Sequence, residues 1–477
     1  MSERLNGRTT VIVGAGPAGI AAARELLKHG SRVILFEEMS APGGQYYRQH
    51  TTAHSVSRGS ELDERAIEGE SALRQLVGDG ITIRCNTLVW GIFPGNQLAI
   101  YAGDQVELVH ADAIVLAPGA IEAVAAFPGW TLPGVMTAGG VQSLLTREAI
   151  LAGQRFVVAG TGPLLLAVAV EINEAGGQVV AVVEGATTGA PLRHIHHFLR
   201  QMRRVQAGLD YRRTLERQGT QVLTGHTVLA ARGDSQVSEV VVARINKDWQ
   251  VVPGTELTFA VDALCLHYGF VASVELARMA GCEVAYAPER GGWYVSHDAG
   301  MRTTQPGIYV AGQAAGIGGA DLAAATGRLA GLTVVHDLGK IDERTYASAV
   351  KDVQREINRA REFATVLNTV YRVAPAIADL ITPDTTVCRC EEVAATEVEA
   401  AIQEGARTLN DVKRRTRCGM GRCQGRVCTP VLTTLLERRA GITSPEAELI
   451  TARPPVKPIP LAALAALSET DETTTER

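Results

Sequence analysis

The first apolar run of the chain, Thr10-Val-Ile-Val13, leads into a Gly-rich turn, Gly14-Ala-Gly-Pro-Ala-Gly19, and then into an Ala- and Leu-rich stretch that ends at Gly30. A short strand, a tight turn and a helix make one βα unit. Lys28 and His29 fall in the helix's last turn and Gly30 closes it, as the dipole and C-cap preferences of a helix end require. A second apolar run, Val33-Ile-Leu-Phe36, predicts the next strand and stops at Glu37. Residues 55–80 are polar with helical spacing. Residues 81–115 alternate apolar and polar positions in short runs broken by Gly and Asn, which predicts a small β insertion. Ala113-Ile-Val-Leu-Ala117 reads as a further strand, closing at Pro118-Gly119-Ala120.

At Arg155 the pattern begins again. A strand over 156–159, the turn Gly160-Thr-Gly162-Pro163, a helix to about Ala175 and a strand over 179–183 lead to Glu184. This repeat predicts two Rossmann-type dinucleotide folds of the α/β class, one inserted in the other. The expected division is 1–118 with 262–340 for the first fold and 119–261 for the inserted one. A helical linker follows over 341–383, then a Cys-rich domain over 384–442. The tail, 443–477, is extended by the prolines of Arg453-Pro-Pro-Val-Lys-Pro-Ile-Pro460, with a polar, acidic and disordered end.

Composition narrows the function. Lys and Arg number 46 against 51 Asp and Glu, a formal charge of -5 that gives no reason to expect a nucleic-acid partner. A hydrophobic content of 46% with 20% charged residues argues for a folded chain over its 477 residues, enough for two to four domains. Gly is enriched, 49 residues in all, as tight nucleotide-binding turns demand. The segment from Thr9 reads as a strand, so no secretion leader is expected, and the longest uncharged run, residues 156–170, is too short to span a membrane. Five of the eight cysteines fall between Cys388 and Cys428, the clustering of a metal site in a reducing compartment. The expected location is the cytoplasm, free or peripheral at the inner face of the membrane.

Gly14-x-Gly16-x-x-Gly19, with Pro17 between the glycines, follows a strand and opens a helix, and Glu37 lies 23 residues beyond Gly14. The first glycine makes the turn, the second admits a pyrophosphate, the third lets the helix pack close, and the acid accepts from the ribose. An adenine dinucleotide is predicted. Further on, Pro42-Gly43-Gly44-Gln45 and Thr304-Gln-Pro-Gly-Ile-Tyr-Val-Ala-Gly312-Gln313 resemble the FAD signatures of glutathione-reductase-like flavoproteins. FAD is therefore expected over a nicotinamide cofactor. The family's Gly-Asp is replaced here by Gly312-Gln313, whose amide can still bond ribityl hydroxyls. No redox-active pair is available before residue 388, where Cys85, Cys265 and Cys282 are isolated, so a dithiol mechanism is excluded. The second fold keeps Gly160 and Gly162 but has Leu165 at the third glycine position, leaving open a second nucleotide or a purely structural domain.

Cys388-Arg-Cys390 is followed by Cys418, Cys423 and Cys428. Four thiolates suit tetrahedral zinc or a 2Fe-2S cluster, and the one-residue spacing of the first pair, beside a flavin, favours iron and sulfur. The segment resembles the bacterioferritin-associated ferredoxin-like domain, whose pattern selects Cys388, Cys390, Cys423 and Cys428 and leaves Cys418 as a fifth cysteine beside four places. Lys413, Arg414, Arg415, Arg417, Arg422 and Arg426 surround these positions, either raising the cluster's potential or forming a solvated basic face. His194-Ile-His-His197, with Arg200, Arg203, Arg204, Arg212 and Arg213 after it, reads as a basic helix face more than as a metal site.

Gly-Gly-Gln-Tyr-Tyr-Arg-Gln49, Phe127-Pro-Gly-Trp-Thr-Leu-Pro-Gly134 and Asp262-Ala-Leu-Cys-Leu-His-Tyr-Gly-Phe270, with the Cys-rich end, extend a likeness over nearly the whole chain. It resembles the A (α) subunit of heteromeric opine oxidases, D-hydroxyproline dehydrogenase and hydrogen cyanide synthase. That resemblance implies a partner β subunit similar to sarcosine and D-amino-acid oxidases, which holds the amine-oxidising FAD. It further implies a small third subunit, FMN at the subunit interface in some members, and a quinone or dye as acceptor. The partner's flavin would take a hydride from the carbon beside nitrogen, and electrons would then pass singly through the cluster, which cannot accept a hydride. No catalytic residue for an amine is recognisable in this chain. A self-sufficient NAD(P)H-dependent FAD/2Fe-2S reductase is the alternative.

Overall fold

The computed structural model describes residues 8–48, 61–187 and 202–472. In the first fold five parallel strands lie in the order Ile308–Val310, Ala113–Leu116, Thr9–Val13, Arg32–Phe36, Thr82–Arg84. Thr9–Val13 is buried along its whole length, as a central strand covered on both faces must be. The helix Pro17–Lys28 starts with its proline in the first turn and packs along the helix Gly319–Asp337. Backbone contact permits this closeness: a Cβ on Gly327 would lie 2.1 Å from the Ala18 carbonyl oxygen. The β insertion is an antiparallel sheet of Leu88–Phe93, Gln97–Ala102 and Gln105–His110.

The second fold repeats the first. Its parallel sheet runs Gln221–Thr224, Gln178–Glu184, Arg155–Gly160, Ala263–His267, Val135–Thr137, with its own antiparallel sheet of His226–Arg232, Glu239–Arg244 and Leu257–Ala260. The chain crosses between folds on two antiparallel strands, Ala120–Glu122 and Phe270–Ala272. This moves the expected boundary. Residues 262–269 belong with the inserted fold, because Ala263–His267 pairs with Arg155–Gly160 in the middle of its sheet and is buried throughout. An apolar run alone does not say which of two similar sheets it joins.

The helix Glu343–Val370, capped by the Asp342 carboxylate on the Thr345 amide at 2.8 Å, leads to the Cys-rich domain. That domain has strands Thr386–Cys388 and Val393–Ala394 and helices Ala395–Gln403, Leu409–Thr416 and Cys428–Ala440. Its apolar side chains share one core with the second fold, and Trp130 Nε1 donates to the Thr386 carbonyl at 2.6 Å. The tail is ordered further than its prolines suggest. After Pro460 a helix runs Leu461–Glu472, built on Leu-Ala-Ala-Leu-Ala-Ala-Leu, a composition of strong helix formers. Residues 473–477 lie outside the described residues, as do Gln49, the motif at 194–197 and Arg200.

Candidate functional site

The Gly-rich turn at 14–19 is shaped by contacts that only glycine allows. Gly14 has φ +101°, and a Cβ there would lie 2.3 Å from the Ala117 carbonyl oxygen; one on Gly19 would lie 1.9 Å from the Gly14 carbonyl oxygen. Gly16 instead faces open space, with Gly44 Cα its nearest neighbour at 3.9 Å from a built Cβ. The loop over 42–45 lies on the turn through the Gly43 amide, which donates to the Ala15 carbonyl at 2.8 Å. The Glu37 carboxylate is held by the amides of Ala15 at 2.8 Å and Met39 at 2.9 Å. Gly312, with φ +70°, donates its amide to Thr326 Oγ1 at 3.0 Å. The Gln313 side-chain oxygen accepts from the Gly318 amide at 2.9 Å, so this residue also organises the loop before the Gly319–Asp337 helix.

Gly14, Gly16, Pro17, Glu37, Gly44, Gln45, Gly312 and Gln313 all line one cleft of about 2440 Å³, while Gly19 lies behind it. Two helices whose N-termini line this cleft, Pro17–Lys28 and Gly319–Asp337, begin at a glycine cap with no side chain on their first amides. Those donors and the missing Cβ atoms fit a diphosphate, and the carboxylate beyond fits a ribose.

The second turn copies this arrangement in part. Gly160 has φ +137°, and Glu184 accepts from the Gly162 amide at 2.9 Å and the Ala186 amide at 2.7 Å. Burial pushes the Glu184 carboxyl above its usual range, against the pull of those two amides. Leu165, in place of a third glycine, is wholly buried in the core of the helix Leu164–Glu174. The turn opens on the same cleft.

Between the folds lies a buried polar cluster that sequence reasoning missed. His267, 3% exposed, has Nδ1 2.8 Å from Glu122 Oε1, and Glu122 Oε2 accepts from the Gly139 amide at 2.8 Å. Arg48 bonds Gln45 Oε1 through Nε at 3.1 Å; burial, and then Arg147, pull its guanidinium down to about 10. Gln142 Nε2 donates to Glu171 at 2.7 Å. These residues come from five separate stretches of chain, and only Gln45, Arg48 and His267 sit in motifs.

The five clustered sulfurs meet at one place. Cys388 and Cys390 lie 3.9 Å apart, and Cys390 and Cys423 3.8 Å. Cys388, Cys418 and Cys428 all fall within 4.8 Å of one another. The four expected ligands thus form a continuous string, and Cys418 abuts it at Cys388 and Cys428. Hydrogen bonds from the Cys418 and Cys428 thiols hold Cys388 well below the usual thiol range, whereas burial pushes Cys390 up to about 11. No disulfide joins any of the eight cysteines, and so dense a set of sulfur donors suits a thiophilic metal centre. Gly421 is required here, since a Cβ would lie 2.5 Å from Cys390 Sγ. The basic collar is partly neutralised: Arg414, Arg415, Arg417 and Arg426 pair with Asp411, Glu404, Glu391 and Glu275 at 2.6–3.3 Å. Cys423 lines the same cleft as the first Gly-rich turn.

A Gly-rich turn with its acid, repeated in the second fold, and a thiol cluster that reaches the same cleft are the parts of a flavin and iron-sulfur oxidoreductase. Residues 8–348 match the pyridine nucleotide-disulphide oxidoreductase family and residues 386–438 the BFD-like [2Fe-2S] binding domain. The chain belongs to that oxidoreductase family, with the second domain fused to it, and carries FAD and a 2Fe-2S cluster. It is 34% identical to the A-type subunit of opine oxidase from Agrobacterium tumefaciens, over 96% of this chain and 92% of that protein. Hydrogen cyanide synthase subunit HcnB of Pseudomonas protegens is 31% identical over 95% of this chain and 96% of that protein. The L-proline dehydrogenase from P. horikoshii shares the fold, with a TM-score of 0.66 at 22% identity, covering 96% of this chain and 79% of that one. Among the described residues no helix is long and apolar enough to cross a membrane.

Proposed function

We propose that this chain is the electron-relaying subunit of a heteromeric dehydrogenase that oxidises an amino or imino acid of the opine or D-hydroxyproline type. In this reading the amine is oxidised on a partner FAD subunit similar to sarcosine and D-amino-acid oxidases, and the electrons leave for a respiratory quinone or dye. The observation that carries it is the opening of Cys423 and the first Gly-rich turn on one cleft. Gly14, Gly16, Pro17, Gly44 and Gly312 would line the FAD, Gly19 would let the helix pack beneath it, Glu37 would accept from its ribose, and Gln45 and Gln313 would face its flavin end. Cys388, Cys390, Cys423 and Cys428 would hold the cluster, with Cys418 beside it. Bound FAD supplies a two-electron centre able to release electrons singly, and the cluster a one-electron centre. The relatives named as opine oxidase and hydrogen cyanide synthase subunits support a complex whose substrate site lies in another chain.

A second reading, an NAD(P)H-dependent reductase, is favoured by Glu184 and Gly162, which repeat the acid-and-turn geometry of the first fold. One experiment separates the two. The chain, alone and co-expressed with its partner subunit, is titrated anaerobically with NADH and with octopine, nopaline, D-hydroxyproline or glycine. Bleaching of flavin and cluster bands by the amine only when the partner is present supports the relay; rapid bleaching of the lone chain by NADH overturns it. Glycine as the productive amine would select the hydrogen cyanide synthase type.

A further inference from the structure

The tail beyond residue 443 joins two cores that otherwise belong to different folds. Ala447 and Ile450 pack with the second fold and the Cys-rich domain, whereas Leu449, Val456, Ile459 and Leu464 pack on the first fold. Ile450 Cδ1 sits where a Cβ on Gly419 or Gly425 would fall, at 2.7 and 2.6 Å, so it rests on two of the three glycines of the cysteine loop. Asn410 and Arg278 fix this stretch by its backbone, donating to the Leu449 carbonyl at 3.2 Å and the Ile450 carbonyl at 2.6 Å.

A single guanidinium then connects the cysteine loop to the tail. Arg426 Nη1 donates to the Cys423 carbonyl at 3.2 Å and to the Val456 carbonyl at 3.1 Å, while its Nε lies 3.3 Å from Glu275 of the first fold. From there Val456 donates its amide to the Trp90 carbonyl at 2.8 Å, and Lys457 Nζ donates to Glu38 Oε1 at 2.6 Å. Val456 and Lys457 line the cleft together with Glu37, Met39, Thr87 and Val89. This is the end of the cleft at which Glu37 stands, hence the adenosine end of a dinucleotide seated on the turn at 14–19.

We propose that Val456 and Lys457 form the outer wall of the adenosine site and that Arg426, by holding them to the Cys423 loop, makes FAD retention depend on an intact cluster. The inference rests on the assignment of FAD to the first fold. Because binding couplings are reciprocal, FAD stabilises the cluster by the same factor by which the cluster tightens FAD. None of the three residues belongs to a nucleotide-binding motif.

The test uses the full chain with its cluster in place. FAD affinity is measured by the recovery of free-flavin fluorescence on dilution, and cluster retention by iron content and by the rate of loss of visible absorbance to a chelator. Arg426→Met is expected to weaken FAD binding about tenfold at unchanged iron content. Lys457→Glu, remote from the sulfurs, is expected to weaken FAD and to speed cluster loss to the chelator several-fold. Arg438→Met, which removes a surface pair with Asp379, should move neither reading. FAD affinity within twofold of the wild type in both Arg426→Met and Lys457→Glu overturns the wall. If Arg426→Met does not fold or loses its iron, Lys457→Glu decides alone: weaker FAD with an unchanged rate of cluster loss overturns the coupling. A wild-type chain that keeps its cluster but binds no FAD overturns the flavin assignment itself, a different result from either.

Discussion

Glu184 stands to Gly162 as Glu37 stands to Ala15: in each fold the acid that ends the second strand accepts from an amide of the Gly-rich turn, at 2.9 and 2.8 Å. The two carboxylates therefore brace their turns before any ribose arrives. Glu37→Gln is expected to weaken FAD binding by about ten- to a hundredfold, since one charge-assisted hydrogen bond contributes about 1.5–3 kcal/mol. Glu184→Gln should leave the flavin content unchanged. Flavin release on denaturation and FAD affinity by fluorescence check both, and equal losses in the two variants would sink the assignment of the flavin to the first fold.

The ferredoxin-like cysteine pattern, which passes over Cys418, implies a hierarchy among the cysteines. Serine at Cys388, Cys390, Cys423 or Cys428 is expected to abolish the cluster, whereas Cys418→Ser keeps iron and the visible spectrum. Loss of iron from Cys418→Ser with retention in Cys423→Ser would exchange the two residues.

Gly421→Ala places a methyl group 2.5 Å from Cys390 Sγ. Either the loop or the sulfur must move, so iron content should fall well below that of the wild type while far-ultraviolet circular dichroism changes little. Full iron content in the variant would show that the loop yields easily.

Asp337 binds Arg302 at 2.6 and 2.7 Å and accepts from the Tyr309 hydroxyl at 2.7 Å. Partial burial opposes its ionisation, but hydrogen bonds from Arg302, Tyr309 and His336 hold the carboxyl below its usual range. A carboxyl depressed in the folded state stabilises it above the unfolded value, about 3.9, and that contribution fades as pH falls through the folded value. Asp337→Asn is expected to cost about 1–3 kcal/mol at pH 7. Thermal melts should show the gap between the two proteins narrowing below about pH 4; a constant gap would contradict this.

What the sequence disclosed was local. The turn at 14–19 with Glu37, and Cys388-x-Cys390 with its distant partners, are spacings that a single βα unit or a single loop enforces. The Glu122 and His267 pair was hidden because its members are 145 residues apart and meet only where the folds cross. Ala263–His267 could be recognised as a strand but not assigned to a sheet, since both sheets demand the same apolar run. Gln313 read as a contact for ribityl hydroxyls, yet its oxygen is engaged by the Gly318 amide inside its own loop. The prolines of the tail drew attention from the Leu- and Ala-rich run at 461–467, which continues as helix.

Trp130, Val387 and Leu432 occupy one core, so the apolar interior of the Cys-rich domain runs without a break into that of the second fold. A freely exchangeable ferredoxin module carries its own interior and can be shuffled between proteins by recombination. This one shares its interior with the fold beside it. A gene shortened ahead of residue 384 would encode a flavoprotein whose Trp130 Nε1 has lost the Thr386 carbonyl, and selection that discards the cluster must first repair that contact.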